Sequence, residues 1–146
     1  MKATSKKLCI FSALISLFIV FSTSYAIAQD HIQAGAMTKQ SDGTYIVKTT
    51  NLAKDVKGFK GATPLNIYIK KDKVVKIEAL PNKESPNFFN KVKQGLLNKW
   101  NGMKVSKAAT TQVDGVTGAT FSSKAVKENV HRGLNYYQKY KSLKRK

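Results

Sequence analysis

Alternating apolar and polar positions in the first half of the chain predict β-strands. Residues 44–50 are rich in β-branched and aromatic side chains and follow Asp42-Gly43, a sequence typical of turns. Residues 65–70 alternate, and so do residues 75–79, where Val, Ile and Ala are separated by Lys and Glu. Because the polar residues 71–73 join these two segments, we predict an antiparallel hairpin with one buried face.

Apolar residues at helical spacing dominate the second half. The first stripe follows a loop that contains Pro81 and Pro86, and it consists of Phe88, Phe89, Val92, Leu96, Leu97 and Trp100. The second stripe consists of Val126, Val130, Leu134 and Tyr137. With a short strand predicted near Val113, the element order is β-β-β-α-β-α. This order predicts a single α+β domain, a small antiparallel sheet with two main helices packed on it.

The N-terminal segment 1–28 has the pattern of a secretory signal peptide. It begins with three lysines, continues with an apolar run over 8–21 and ends in Ala26-Ile27-Ala28. A membrane anchor is the alternative, since residues 8–28 carry no charge and a membrane span needs about 20 apolar residues. Either interpretation predicts an exported protein, periplasmic or otherwise extracytoplasmic.

The rest of the chain divides into three predicted parts. Residues 29–41 show no periodicity and are interpreted as a linker, residues 42–138 as the folded domain, and residues 139–146 as a basic C-terminal tail. The single cysteine, Cys9, lies in the N-terminal segment, so no disulfide or thiolate metal site is expected in the domain. His31 and His131 are not spaced as a metal-binding pair, and no metal site is expected.

The chain is strongly basic, with 26 Lys and Arg residues against 8 Asp and Glu, a net charge of +18. In a cytoplasmic protein such a charge would suggest nucleic acid as a partner. Export argues against nucleic acid, and no RNP-like, helix-turn-helix or zinc-finger pattern is present. We therefore interpret the basic surface as one that lies near an anionic membrane surface or envelope polymer, or that attracts acidic partners.

Residues 114–123 combine hydroxyl groups, a glycine and a predicted helix start. Thr117 and Thr120 flank Gly118, and Ser122 or Ser123 is the expected N-cap of the last helix. A helix start presents unpaired N–H groups and the positive end of the helix dipole, and glycine allows close backbone approach to an oxyanion. The segment therefore predicts a site for a phosphate group.

The same segment resembles the attachment motif of the FMN-binding domain family, which occurs in flavin subunits of sodium-pumping and Rnf-type membrane oxidoreductases and in small exported flavoproteins. The family motif, Asp-x-x-(Ser/Thr)-Gly-Ala-Thr-x-(Ser/Thr), stands here as Asp114, Thr117, Gly118, Ala119, Thr120 and Ser122. The resemblance implies that Thr120 carries FMN through a phosphoester bond, installed from FAD by a magnesium-dependent flavin transferase. Asp114 would hold the turn or be recognised by the transferase, and Thr117, Ser122 and Ser123 would contribute to the phosphate site.

A second segment, residues 84–89, is similar in part to the family motif Glu-Thr-Pro-Gly-Leu-Gly, which contributes to the flavin pocket. The resemblance implies that Glu84, Ser85 and Phe88 also bind flavin, with Phe88 packed on the isoalloxazine face. Asn87 and Phe89 stand where the family has glycines.

The resemblance implies an electron-transfer module of the cell envelope, with a membrane or envelope electron donor and acceptor as partners. An electron carrier is favoured over an enzyme because the sequence shows no catalytic dyad or triad. A flavin-dependent reductase is less favoured, since so short a chain has little room for a substrate pocket besides the flavin. The alternative from another class is an exported basic module that binds anionic lipid or envelope polymer without flavin.

Overall fold

A computed structural model of the chain describes residues 35–144. The predicted signal peptide or membrane anchor, most of the predicted linker and the last two residues of the predicted tail lie outside these residues. Within residues 35–144, none of the helices combines the length and the apolar character needed to cross a membrane.

Four antiparallel strands form one sheet, in which each strand pairs with its neighbour in the chain. The strands are β1 (Met37–Lys39), β2 (Tyr45–Lys48), β3 (Leu65–Lys70) and β4 (Lys73–Ala79). The α+β prediction is confirmed, and so is the hairpin that joins β3 to β4. Strand β1 lies inside the segment 29–41, which the sequence pattern assigned to a linker. The strand was missed because three residues paired at a sheet edge are too few to show a recognisable alternation.

Strand β4 contains a bulge that the alternation does not show. Ile67 pairs with Ile77 and Tyr68 with Lys76, but Ile69 pairs with Val74, so that Val75 has no partner across the hairpin. The extra residue reverses the side-chain alternation. Val74 is therefore buried and Val75 is 49% exposed, which makes the predicted core position of Val75 wrong.

Three helices follow the sheet in the chain: α1 (Pro86–Gly95), α2 (Val105–Ala108) and α3 (Thr120–Leu143), with a 3-10 turn at Leu97–Trp100. The strand predicted near Val113 is wrong, since residues 111–116 have no regular structure. The N–H and the hydroxyl of Thr111 both donate to the Lys107 carbonyl, at 2.9 and 2.8 Å, so this segment continues from α2 and does not pair with the sheet. Because α3 ends at Leu143, the predicted tail 139–146 begins inside this helix.

The predicted stripe of α3 forms the centre of the core. Val126, Val130, Leu134 and Tyr137 are all buried, in one cluster with the inward side chains of β2, β3 and β4. The first predicted stripe, from Phe88 to Trp100, continues beyond the end of α1 into the 3-10 turn. It also faces the core, apart from Phe88, which is exposed. The helix that carries the candidate phosphate site at its start is therefore fixed along its length by burial of its apolar side.

Helix α3 approaches the sheet most closely at Gly133. A Cβ atom there would lie 2.5 Å from Cδ1 of Ile67 and 3.1 Å from Cγ2 of Thr49. Neither neighbour is free to move, because Ile67 is fully buried and Thr49 is held by two hydrogen bonds. The Thr49 hydroxyl donates to Oδ1 of Asn129 at 2.5 Å and accepts the Leu65 N–H at 2.9 Å.

Replacing Gly133 by alanine tests this contact. Helix propensity alone would stabilise the protein by up to about 1 kcal/mol. We expect the opposite result, a loss of about 1–3 kcal/mol in the free energy of unfolding, because the added methyl group overpacks the core. Urea denaturation followed by circular dichroism measures the difference, and a stabilised variant would contradict the close packing described here.

Candidate functional site

A hollow of about 270 Å³ opens between the start of α3, the start of α1 and the loop at residues 58–61. We call it the aromatic pocket. Its lining consists of Phe59, Glu84, Ser85, Phe88, Gly118, Ala119, Thr120, Phe121 and Ser122. The fold thus brings together the two sequence segments, 84–89 and 114–123, that were expected to share one site.

Three phenylalanines make this pocket apolar while they remain in contact with solvent. Phe59, Phe88 and Phe121 are 68%, 48% and 63% exposed. They are three of the five large hydrophobic residues that are exposed in the described part of the chain. The rings of Phe59 and Phe121 lie 6.3 Å apart at an interplanar angle of 40°. A cluster of exposed aromatic rings around a hollow is typical of a site for an apolar, planar ligand.

Glu84 connects two segments of the pocket wall. The residue is 7% exposed, and its carboxylate accepts hydrogen bonds from four donors. Oε1 accepts the N–H groups of Lys60 and Gly61, at 2.7 and 3.1 Å, and Oε2 accepts the Phe59 N–H at 3.1 Å. The Ser122 hydroxyl is the fourth donor and also bonds to Oε2. One side chain therefore joins the loop at 58–61 to the first turn of α3.

These hydrogen bonds keep Glu84 ionised. Burial would raise the pKa of its carboxyl group, but the hydrogen bonds from Ser122 and from the backbone of Lys60, Phe59 and Gly61 outweigh that effect and hold the pKa below its usual value of 4.5. Because all four donors satisfy the carboxylate, Glu84 acts as a brace within the pocket wall.

Gly58 leaves the space that this carboxylate needs. A Cβ atom at Gly58 would lie 2.9 Å from both Cδ and Oε1 of Glu84. The loop closes on itself through the Gly58 N–H, which donates to the Gly61 carbonyl at 2.8 Å. A side chain at residue 58 would therefore push the carboxylate away from its donors.

Helix α3 begins at Thr120, so its N-cap is Ala119, and Ala119 has no capping side chain. The prediction that Ser122 or Ser123 caps the helix is wrong, because both serines lie within the first turn. Ser122 bonds to Glu84, and the Ser123 hydroxyl accepts the Val116 N–H at 3.0 Å. Both serines are thus engaged in tertiary contacts that fix the preceding turn and the pocket wall.

The turn before α3 has the conformation that its glycine predicts. The Ala119 N–H donates to the Val116 carbonyl at 3.0 Å, and Gly118 has a φ of +79°. This left-handed conformation favours glycine at the third position of such a turn. The turn places Thr120 at the surface, as the first residue of the helix.

Thr120 is exposed, and among the residues that the structure describes no group hydrogen-bonds to its hydroxyl. The N–H groups of Thr120, Phe121 and Ser122 precede the first helical hydrogen bond, which joins the Ser123 N–H to the Ala119 carbonyl at 2.9 Å. Unpaired N–H groups and the positive end of a 24-residue helix therefore surround this hydroxyl.

A second hollow, of about 360 Å³, adjoins the first on the other side of Thr120. Its lining includes Thr117, Ser123, Lys124 and Lys127, and it shares Gly118 and Thr120 with the aromatic pocket. Lys127 Nζ donates to the Val113 carbonyl at 3.2 Å. Asp114 is exposed and lines neither hollow, although the next residue, Gly115, lines the second.

Phe59 and Phe121 are the site residues that the sequence pattern did not identify. The only sequence signal for Phe59 is its position between Gly58 and Gly61. An aromatic residue in such a loop has no regular element through which it could be packed into the core. Asn87 and Phe89, the two departures from the second motif, line no part of the aromatic pocket. Phe89 is buried in the core and Asn87 is exposed on α1.

A family model described as the FMN-binding domain matches residues 58–135, more than half of the chain. The chain belongs to the FMN-binding domain family. The match begins at Gly58, so it includes the loop that Glu84 anchors as well as both motif segments. No curated protein and no solved structure matches the chain significantly. Membership of this family gives the chain a flavin-binding role, and the three aromatic side chains of the pocket fit the flat ring system of FMN.

Two glycine variants test the brace formed by Glu84. Gly58→Ala should displace the carboxylate and lower the free energy of unfolding by about 2 kcal/mol or more, since hydrogen bonds to a charged group are lost. Gly61→Ala is the matched control, because a Cβ there would meet only Lys83 Cβ, at 3.8 Å. Urea denaturation and the amide NMR shifts of residues 59–61 measure both effects. Equal effects of the two variants would contradict the proposed steric role of Gly58.

The pH dependence of stability tests the ionised state of Glu84. A carboxyl group whose pKa is lower in the folded state stabilises the fold above its usual pKa, and this stabilisation is lost as the pH falls through the folded pKa. We expect wild type to exceed Glu84→Gln in stability at pH 7, with a difference that shrinks below pH 4.5. Urea midpoints between pH 7 and pH 3 measure it. A difference that stays constant over this range would contradict an ionised Glu84.

Proposed function

We propose that the protein carries FMN covalently, through a phosphoester bond to Thr120, and serves as an electron-transfer module of the cell envelope. The observation that carries this proposal is the position of Thr120. Its exposed hydroxyl lies on the boundary between the aromatic pocket and the hollow that contains Lys124 and Lys127. A ligand attached there reaches an apolar wall on one side and cationic groups on the other.

The phosphate end of the ligand suits the start of α3. The N–H groups of the first turn and the helix dipole favour a negative charge at Thr120. Lys124 and Lys127 add two positive charges in the adjoining hollow. Gly118 brings the backbone close without a side chain in the way.

The ring end of the ligand suits the aromatic pocket. Phe88 stands on one wall, at the start of α1, while Phe59 and Phe121 contact each other on another. Stacking against these rings would hold the isoalloxazine and remove their exposed surface from water. The Glu84 brace keeps Phe59 and Phe121 together, because it bonds to the Phe59 N–H and to Ser122.

Attachment requires an outside enzyme, since a threonine hydroxyl is a weak nucleophile. In the proposed reaction, the Thr120 oxygen attacks the FMN phosphorus of FAD within a magnesium-dependent flavin transferase. The new oxygen–phosphorus bond forms as the phosphoanhydride bond breaks, AMP leaves, and the transferase accepts the hydroxyl proton. The exposed, unbonded hydroxyl of Thr120 is accessible for this step.

Bound FMN would supply the redox chemistry, and the residues of this chain would tether, orient and partly shield it. The N-terminal pattern of residues 1–28 supports export, and a tether is useful where a dissociated cofactor would be lost. The net charge of +18 favours an acidic electron donor or acceptor, or a position near an anionic membrane.

Intact mass and the visible spectrum test the attachment directly. Wild type co-produced with a flavin transferase should gain the mass of one FMN less one water and absorb as a flavin. Thr120→Ala should do neither, while Thr50→Ala, which removes another exposed threonine, should behave as wild type. Wild type that stays colourless at its bare mass, or a flavinylated Thr120→Ala, would contradict the proposal.

A further inference from the structure

A third hollow, of about 500 Å³, lies between the β3–β4 turn, α2 and the C-terminal part of α3. We call it the lysine hollow, because Lys71, Lys73, Lys104 and Lys141 line it together with Asp72. None of these residues lines the aromatic pocket or the hollow beside it. It belongs to no part of the flavin site.

The positive charge of this hollow is largely uncompensated. Asp72 Oδ1 accepts hydrogen bonds from Lys141 Nζ and from the Tyr137 hydroxyl, both at 2.7 Å. Within residues 35–144, Lys71, Lys73 and Lys104 form no ion pair. Lys73 and Lys104 are also paired directly by a backbone bridge, which makes these two lysines cross-strand neighbours of like charge. An anion bound between these side chains would relieve their repulsion.

The turn that forms one wall has an unusual backbone. Lys71 and Asp72 have φ values of 50° and 59°, and among the described residues they are the two non-glycine positions with positive φ. Two-residue hairpin turns of this kind normally use asparagine and glycine. Here the conformation is held by the Val105 N–H, which donates to the Asp72 carbonyl at 2.9 Å, and by the bonds to the Asp72 side chain. A lysine held in a costly conformation by its surroundings is typical of a functional site.

We propose that the lysine hollow binds a phosphate-bearing anion with at least two negative charges. Lysine ammonium groups bind phosphate as point charges, and three of the four lysines that line this hollow form no ion pair within residues 35–144. The volume of about 500 Å³ has room for more than one phosphate group, which suits a diphosphate or the phosphorylated headgroup of a lipid.

This site is independent of the flavin. Thr120 and Lys141 are 21 residues apart on one helix, which separates them by about 32 Å along its axis. An anion in the lysine hollow therefore leaves the aromatic pocket accessible to an electron partner. The proposal holds whether or not Thr120 carries FMN.

Titration with pyrophosphate at physiological salt, followed by calorimetry and amide NMR, tests the proposal. Wild type should bind one equivalent, with shifts confined to the β3–β4 turn, α2 and the end of α3. The triple variant Lys71→Gln, Lys73→Gln, Lys104→Gln should bind at least about tenfold more weakly, because three of the four positive charges are lost. The single variant Lys104→Gln should show a smaller loss, which keeps the test valid if the triple variant folds poorly.

The matched control is the triple variant Lys48→Gln, Lys54→Gln, Lys99→Gln, which removes the same charge from exposed lysines outside the hollow. It should bind within about twofold of wild type. Equal loss of affinity in both triple variants would show attraction to the overall charge only and would overturn the proposal, as would the absence of binding by wild type.

Vesicles identify the source of the phosphate. The lipid probe is cardiolipin, whose headgroup carries two phosphates. The site accepts a lipid headgroup if three results hold: wild type binds cardiolipin-containing vesicles but not pure phosphatidylcholine vesicles, the Lys71, Lys73, Lys104 triple variant loses this binding, and pyrophosphate competes. If the vesicles are not bound but pyrophosphate is, the ligand is a soluble anion. Both results support a phosphate site.

Discussion

The candidate site depends on the buried carboxylate of Glu84. Removing a charged group from water is costly unless hydrogen bonds replace the lost hydration, and here four donors do so. Three of these donors are backbone N–H groups of the loop at residues 58–61, and the fourth is Ser122 on α3. This interaction ties the loop that carries Phe59 to the helix turn that carries Phe121. The pocket is thus formed by an electrostatic tie between segments that are far apart in the sequence.

The packing of helix α3 on the core fixes the position of this surface site. Its apolar side is buried against the sheet, and Gly133 and Asn129 fix its distance and register through contacts with Ile67 and Thr49. Because the helix is rigid, its first turn has a defined position relative to Glu84 and Phe88. The same helix ends beside the lysine hollow, where Lys141 complements the negative end of the helix dipole. One core element therefore positions two surface sites of different chemistry.

The parts of the fold that could be predicted from sequence are those in which neighbouring residues determine the outcome. The stripe from Val126 to Tyr137 is buried because helical spacing places these residues on one side, and Gly118 adopts positive φ because the local turn requires it. The bulge at Val75 could not be predicted, since it depends on the register with β3. Ser122 and Ser123 look like caps in the sequence, but tertiary partners, Glu84 and Val116, use their hydroxyls instead. Phe59 was missed for the same reason: only the fold brings it to Phe121.

A crystal structure of the protein after flavinylation is the most direct test of this account. We expect continuous density from Thr120 Oγ to a phosphate at the start of α3, and the isoalloxazine ring in contact with Phe59, Phe88 and Phe121. Glu84 should keep its four hydrogen bonds. Density for flavin at another residue, or a tethered ring that lies in solvent with the three phenylalanines still exposed, would contradict the assignment of the aromatic pocket.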